Sequence, residues 1–263
     1  MTPGVASAYQ QSAASWVRGP EGVYDRLAEA LVASCPLDLG GRRVLDLGAG
    51  SGSVSRAARR VGAHPVVLDV APAMLATAGC TAFPAVVADG GRLPLRGRSV
   101  AAVLAGFFLT HCDDPTAMLA EAARVTMSGG VVLATTFDRG APEHPGKAAV
   151  DRVAEAHGWV MPRWYAHFKG TTELRLSTPQ GLLAVAGDPA LVARVERRSV
   201  DIGTSSAREI VAWRLGMAHL APWVAGLPVG DRRSLEEEAC RAVGARPEPV
   251  HLAILVLVAR VSR

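Results

Sequence analysis

Apolar and polar positions change period several times along the chain, and the changes mark elements. Over residues 6–34 the apolar side chains recur at helical spacing, with Val23, Leu27, Leu31 and Val32 in the second half. This predicts two short helices broken at Gly19-Pro20. From residue 43 short, almost wholly apolar runs alternate with amphipathic stretches. Strands are predicted at 43–47, 65–70, 85–88, 100–105 and 131–137, and helices at about 53–61, 72–78 and 115–126. Pro72 and Pro115 suit first helical positions. The third helix follows the acidic cap Asp113-Asp114 and places Met118, Leu119, Ala122 and Val125 on one face, before Gly129-Gly130 stops it.

Strands alternating with helices imply βαβ units, hence an α/β fold with a doubly wound, mostly parallel sheet buried on both faces. Ligands on such sheets bind beyond the carboxyl ends of the strands, so functional residues are expected just after Leu47, Leu68, Ala88 and Ala105. After Asp138 the rhythm changes. Residues 139–178 read as an insertion with one helix, about 147–157, and hold the aromatics Trp159, Trp164, Tyr165 and Phe168. Helices follow at 178–187, 206–225 and 231–243, the last capped by Asp231, with strands at 195–202 and 251–260. The pattern divides the chain into an N-terminal helical cap (1–38), an α/β core (39–138), a lid insertion (139–178) and a completion of the core (179–263) with a helical insertion at about 204–245.

Composition narrows the partners. The chain has 263 residues, nearly half of them hydrophobic, with 28 Lys+Arg against 24 Asp+Glu. That excludes a disordered protein, and the length suffices for a sizeable core. Only Lys147 and Lys169 are lysines; the arginines are scattered and form no dense stripe interleaved with aromatics, so nucleic acid is not the expected partner. Cys35, Cys80, Cys112 and Cys240 lie far apart, so neither a zinc site nor a disulfide framework is indicated and no metal is expected. The longest strongly apolar run, 252–258, falls well short of the about 20 residues of a membrane span. Residues 1–10 lack a signal-peptide pattern. The expectation is a soluble, cytoplasmic protein. No oligomer signal stands out, although the 252–258 strand is placed where an edge would need cover.

The sharpest chemical signal is the run from Val44 to Gly52, VLDLGAGSG, where an apolar strand enters a turn with glycine at every second position. Glycine permits strained dihedrals and close approach to a ligand, and the following helix offers free N–H groups. Ser53 stands where a dinucleotide fingerprint needs its third glycine. Asp46 suits a ligand bearing a cationic amine better than a pyrophosphate. Asp69 ends the second strand, 21 residues after Gly48, where a carboxylate accepts both hydroxyls of a ribose or caps the next helix. Asp89-Gly90 follows the third strand, where a carboxylate and an N–H read the edge of a base, or a surface turn lies.

With these residues in order, 43–137 resembles a class I S-adenosylmethionine-dependent methyltransferase of the small-molecule group. The match continues through LDVAPAML (68–75), ADGGRLP (88–94), GFFLTH (106–111) and Glu121 to Gly130. The chain departs from the family pattern at Ala101, where an aspartate is usual, and at Ser128, where a proline is usual. The resemblance implies a Rossmann-like, seven-stranded sheet with helical lid insertions and S-adenosyl-L-methionine as cofactor. It implies that Asp46 and the loop Gly48, Ala49, Gly50 and Gly52 hold the methionine moiety, and that Asp69 holds the ribose. Val70 and Met74 would flank the adenine, Asp89 and Gly90 read its edge, and Ala105, Gly106 and Phe107 face the sulfonium end.

The expected activity is methyl transfer to a small, largely apolar or aromatic acceptor, such as a secondary metabolite or quinone-like aromatic, driven by positioning. Two rivals are a cyclisation or rearrangement that uses the cofactor as scaffold, and a non-catalytic cofactor-binding module; RNA is a less favoured acceptor. His111, just past the fourth strand, is the first candidate base, and packing against the helix start near Asp113 is its bland alternative. His144, His157 and His167 lie in the insertion. Tyr9, Trp16, Trp164, Tyr165, His167 and Trp213 are the expected acceptor-binding side chains, with Trp16, Trp164 and Trp213 as pocket walls. Trp159, Phe168 and Trp223 belong to the same aromatic set.

Overall fold

The computed structural model describes residues 4–77, 79–203 and 206–262. Helices α1 (Val5–Arg18) and α2 (Pro20–Ala33) precede β1 (Arg43–Leu47). Then come α3 (Ser53–Arg60), β2 (His64–Asp69), the single turn α4 (Pro72–Leu75), β3 (Ala85–Val87), β4 (Val100–Gly106), α5 (Pro115–Val125) and β5 (Thr126–Phe137). Helices α6 (Pro145–Ala156), α7 (Arg163–Gly170), α8 (Thr172–Leu176) and α9 (Pro179–Val185) lead to β6 (Leu191–Asp201). Helices α10 (Ala207–Leu215), α11 (Ala221–Gly226) and α12 (Val229–Val243) precede β7 (His251–Val261).

The seven strands form one sheet in the order β3-β2-β1-β4-β5-β7-β6. All neighbours pair in parallel except β7, which runs antiparallel to both β5 and β6. Strand β7 is therefore internal, and the edge position allowed for 252–258 is corrected: β6 covers it and forms the edge itself. The six consecutive buried residues Ile254 to Ala259 explain the run, because a strand buried on both faces needs no polar alternation.

Alternation along the strands sorts side chains to two cores. Val44, Leu104, Leu133, Val256 and Val258 join one cluster with α2, α3, α6, α10 and α12. Leu45, Leu47, Val103, Ala105, Val132 and Leu257 join a second beneath α5 and α9. The first cluster contains residues of the N-terminal helices, the insertion and the late helices, so these segments close over one face of the sheet as a unit.

Several boundaries differ from the sequence pattern. The insertion has three helices, α6 to α8, because Trp164, Tyr165 and Phe168 give α7 an apolar face of its own. The predicted helix at 206–225 is two, α10 and α11. Gly216 ends the first because its Cα packs against α2: a Cβ there would lie 2.5 Å from Pro20 Cδ. The N-cap of α12 is Pro228, with Asp231 inside the first turn. Of the predicted 72–78 helix, Pro72–Leu75 forms; Ala78 lies outside the described residues, as do Thr204 and Ser205 at the start of the 204–245 segment.

The Gly19-Pro20 break has a packing reason as well. A Cβ on Gly19 would sit 2.0 Å from the carbonyl oxygen of Ala212 in α10. Gly19→Ala should thus push α10 from the α1–α2 corner and lower stability by about 1–3 kcal/mol, the usual cost of overpacking, read as a fall in the thermal midpoint. An unchanged midpoint would show that the corner yields freely.

Candidate functional site

The bend after β1 is built from glycine dihedrals. Gly48, Gly50 and Gly52 have φ of 72°, 54° and 86°, in the left-handed region that L side chains avoid. Space forbids a side chain too: a Cβ on Gly48 would lie 2.4 Å from the Phe108 ring, and one on Gly52 2.9 Å from Cys80 Sγ. Both Gly48 and Ala49 donate their N–H to the Leu68 carbonyl, at 2.9 and 3.0 Å. Arg56 braces the bend from outside, donating to the Ser51 carbonyl at 2.7 Å while pairing with Asp25 at 2.6 Å and Glu21 at 3.2 Å on α2.

A cleft opens at the carboxyl ends of β1, β2 and β4, between this bend and helices α1 and α2. Its wall includes Gly48, Ala49, Gly50, Ser51, Asp69, Val70, Met74, Gly106 and Phe107, together with Tyr9, Trp16 and Tyr24 from the helices. Among the described residues Asp69 is its only Asp, Glu, Lys or Arg. The Asp69 carboxylate accepts from the Gly50 N–H and the Ala71 N–H, each at 2.8 Å, and burial holds its carboxyl above the usual range. Ser51 Oγ in the wall is buried without a protein partner. Trp16 packs on Ala71 and Met74 as an apolar slab. Helix α1 clasps both sides of the cleft: Gln10 accepts from the Ala73 N–H at 2.9 Å, and the Tyr9 hydroxyl bonds His111 Nε2 at 3.1 Å.

A second cavity adjoins the first. Tyr9, Tyr24, Phe107 and His111 stand in the walls of both. Phe107 has φ 58°, an uncommon strain for an aromatic residue, held by its N–H donating to the carbonyl and hydroxyl oxygens of Thr135. Beyond this junction lie Trp164, Tyr165, Phe168, Trp213, Arg214 and His219. The His111 imidazole stacks on Phe168, centroids 4.8 Å apart, with Nδ1 buried and unpartnered. Burial pushes its pKa down to about 4, so the ring is neutral at physiological pH.

Residues 45–134 match the model of a family described as a methyltransferase domain. Over that stretch the α/β core is similar to methyltransferase domains. The chain is similar to the ubiquinone biosynthesis O-methyltransferase of Xanthomonas oryzae, 33% identical over 148 residues that cover 52% of this chain and 59% of that one. It is also similar to the demethylmenaquinone methyltransferase of Tropheryma whipplei, 32% identical over 127 residues, 47% of this chain and 51% of the relative. The chain thus spans little more than half the length of the curated relatives it matches. In fold it resembles a phosphoethanolamine-type N-methyltransferase of Haemonchus contortus, solved with phosphomonomethylethanolamine and S-adenosylhomocysteine: TM-score 0.54, 16% identity, 90% of this chain and 52% of that one.

Within the α/β core most of the expected cofactor residues gather at the cleft, and five do not line it: Asp46, Gly52, which packs against Cys80 and Gly79, Asp89, Gly90 and Ala105. Asp46 shares its strand face with Val44, so its carboxylate points under the bend toward α3, accepting from the Ser55 N–H at 2.9 Å and the Ser55 hydroxyl at 2.7 Å. It positions the loop. Asp89 is exposed and accepts from the Gly91 N–H at 2.7 Å. Gly90 is covered by Phe108, whose ring fills the space between Gly48 and Gly90. Ala105 points into the opposite core by strand alternation.

Among the acceptor candidates, Tyr9, Trp164, Tyr165 and Trp213 line the second cavity, while Trp16 lines the cleft. His167 is exposed and does not line it: one residue before Phe168, it falls about 100° away around α7. His144 stands in the cavity wall but caps α6 and meets the Glu248 carbonyl, His157 pairs with Glu238 at 2.9 Å, and Trp159 is core, donating to the His219 carbonyl. Sequence reasoning missed Tyr24, Phe108, Thr135, Arg214 and His219. It had one signal to hand, because the only two lysines, Lys147 and Lys169, both line the second cavity. Among the described residues no group of three His, Cys, Asp or Glu could hold a metal, and no helix is long and apolar enough to cross a membrane.

Asp46 also sets a pH dependence. Burial raises its carboxyl to about 7, outweighing the Ser55 bonds. The folded chain then holds a proton that the unfolded chain has released, so this group's contribution to stability falls as pH rises from about 4 to about 7. Unfolding free energy compared with Asp46→Asn should decline for the native chain over that window. Parallel pH curves for the two would contradict the shift.

Proposed function

We propose that the chain transfers a methyl group from S-adenosylmethionine to a small, largely apolar or aromatic metabolite. The observation that carries this is the meeting of two cavities at Tyr9, Tyr24, Phe107 and His111, one walled by the glycine bend and the other by aromatic rings. The residues fit the cofactor. Asp69 offers a carboxylate for the ribose hydroxyls, Ser51 an unpartnered hydroxyl, and Trp16, Val70 and Met74 an apolar slot for the adenine. With no arginine or lysine among the described residues of its wall, the cleft suits a cationic ligand better than a pyrophosphate. Tyr9, Trp16, Tyr24 and Phe107 line the cleft as a run of aromatic rings, with successive centroids 4.7 to 5.4 Å apart, and aromatic rings suit a cation. When bound, S-adenosylmethionine supplies an activated methyl group on a sulfonium sulfur.

The chain's own work is then to orient and to exclude water, worth up to about 7–11 kcal/mol. His111 adds a proton acceptor. When its Nε2–H donates to the Tyr9 oxygen, the Nδ1 lone pair is free to take a proton from an acceptor hydroxyl or carbon. A secondary metabolite is the acceptor class we favour, and the four unpaired cysteines support a reducing, cytoplasmic setting.

Calorimetric titration should show binding of S-adenosylhomocysteine, weakened about tenfold or more by Asp69→Ala, the scale of a lost charged hydrogen bond. Unchanged affinity would remove the ribose role. Product should gain one CH2; product of unchanged mass would favour a cyclisation or rearrangement.

His111→Ala should lower turnover by about 10²–10⁴-fold, and a loss below tenfold would remove the base. Because the His111 pKa lies near about 4, the acidic limb of the native pH–rate profile should lie there. A limb near about 6.5, the ordinary histidine value, would contradict the burial of this ring.

A further inference from the structure

Three ring nitrogens among the described residues are buried with no hydrogen-bond partner: His111 Nδ1, Trp213 Nε1 and His219 Nε2. All three side chains stand in the wall of the second cavity. Trp213 and His219 are each 3% exposed. In the core beside the cavity the same chemistry is satisfied, for the likewise buried Trp159 indole donates to the His219 carbonyl at 3.2 Å. A polar group left unpaired out of water costs free energy, and buried polar groups in folded chains almost always have a partner. Here the unpaired nitrogens gather where an acceptor would lie.

The three differ in place and in kind. His111 stands at the junction, in the walls of both cavities, whereas Trp213 and His219 line the second cavity alone. His111, Phe168, Tyr165 and His219 form a row of rings with centroid steps of 4.8, 5.6 and 3.9 Å, so the two histidines end it. An indole N–H can only donate, so Trp213 calls for a lone pair. His219 is neutral, because burial and the nearby Arg214, Lys147 and Lys169 oppose its protonation, and its Nε2 donates or accepts according to tautomer. An oxygen meets both. It need carry no charge, since Arg214, Lys147 and Lys169 already pair with Asp151, Glu143 and Glu173. Arg139, the cation of this wall without a carboxylate partner among the described residues, is exposed.

We propose that the acceptor is an uncharged aromatic with its reacting atom at His111 and, at its other end, an oxygen substituent that accepts from the Trp213 indole N–H and pairs with His219. Trp213 and His219 then select the acceptor and fix which of its positions meets the donor. The inference rests on the acceptor role given above to the second cavity. A molecule of the same shape without that oxygen leaves both nitrogens unpaired, and a buried site discriminates most sharply in this way.

Acetophenone and ethylbenzene share a skeleton and differ in a carbonyl oxygen. Both are titrated calorimetrically into the chain preloaded with S-adenosylhomocysteine, and the quantity read is the ratio of their affinities, acetophenone over ethylbenzene. Trp213→Phe should lower that ratio about fivefold or more, the scale of a lost neutral hydrogen bond. His219→Phe, which keeps a ring against Tyr165, should lower it as well. A merely structural loss would weaken both ligands alike and leave the ratio where it was. With S-adenosylhomocysteine bound, an unchanged ratio in either variant, or no binding of acetophenone to the native chain, overturns this inference alone. The native chain also serves if a variant does not fold: its Trp213 indole N–H proton resonance should move downfield with acetophenone and not with ethylbenzene, and any other pattern overturns the proposal. Should S-adenosylhomocysteine itself fail to bind, the transferase function falls, and this inference with it.

Discussion

The backbone bend after β1 is the constraint on which the rest of the site depends. Three residues in the left-handed region within five positions would not hold such a shape unaided, since glycine loses much conformational freedom on folding. Here the bend is tied on every side. Asp46 anchors α3 below it through Ser55, the Leu68 carbonyl takes two of its N–H groups, and Asp69 takes a third. Arg56 then links its outer rim to Asp25 and Glu21 of α2. One local conformation therefore aligns two strands, seats α3 and docks the helix that roofs the cleft.

The roof has a chemical consequence. Helices α1 and α2 close the cleft with Tyr9, Trp16 and Tyr24, and the same closure removes His111 from water. A histidine in such a place cannot hold a proton near neutrality, so it waits as a free base, and a weak one. The Tyr9 phenol, its pKa raised chiefly by burial, likewise stays neutral. A neutral hydrogen-bonded pair at the meeting of two cavities costs little to bury, whereas a charged one would need a counter-ion there. Phe107 holds its strained backbone at the same spot because the Thr135 side chain and carbonyl both accept from its N–H.

Sequence carried the sheet well because buried parallel strands and glycine bends are local signals. The strands at 43–47, 65–70 and 100–105 are displaced by no more than one residue in the structure. Side-chain direction was legible less often. Asp46 lies in the most recognisable run of the chain, yet the pleat turns it under the bend toward α3; Ala105 is turned into the opposite core by its own strand, and Gly90 is hidden by a phenylalanine eighteen residues later. These outcomes depend on pleat and on long-range packing, which spacing does not report. The second cavity was least legible, since its wall draws on α6, α7, α10 and the start of β7. Arg214 carries no local mark of burial; only the isolation of two lysines in an arginine-rich chain pointed there.

The two cavities also differ in charge, and the difference bears on rate. Among the described residues the cleft holds one carboxylate and no lysine or arginine, while the second cavity has an excess of one cation. Between them stand uncharged rings only. On the function proposed above, the sulfonium of the donor loses its charge as the methyl moves and the proton of an acceptor hydroxyl passes to the neutral His111, in a junction where charges interact most strongly because water is excluded. The Asp69 carboxylate in the cleft and the rings at the junction are fixed partners already in place, so on that reading the chain has little to reorganise at the moment of reaction.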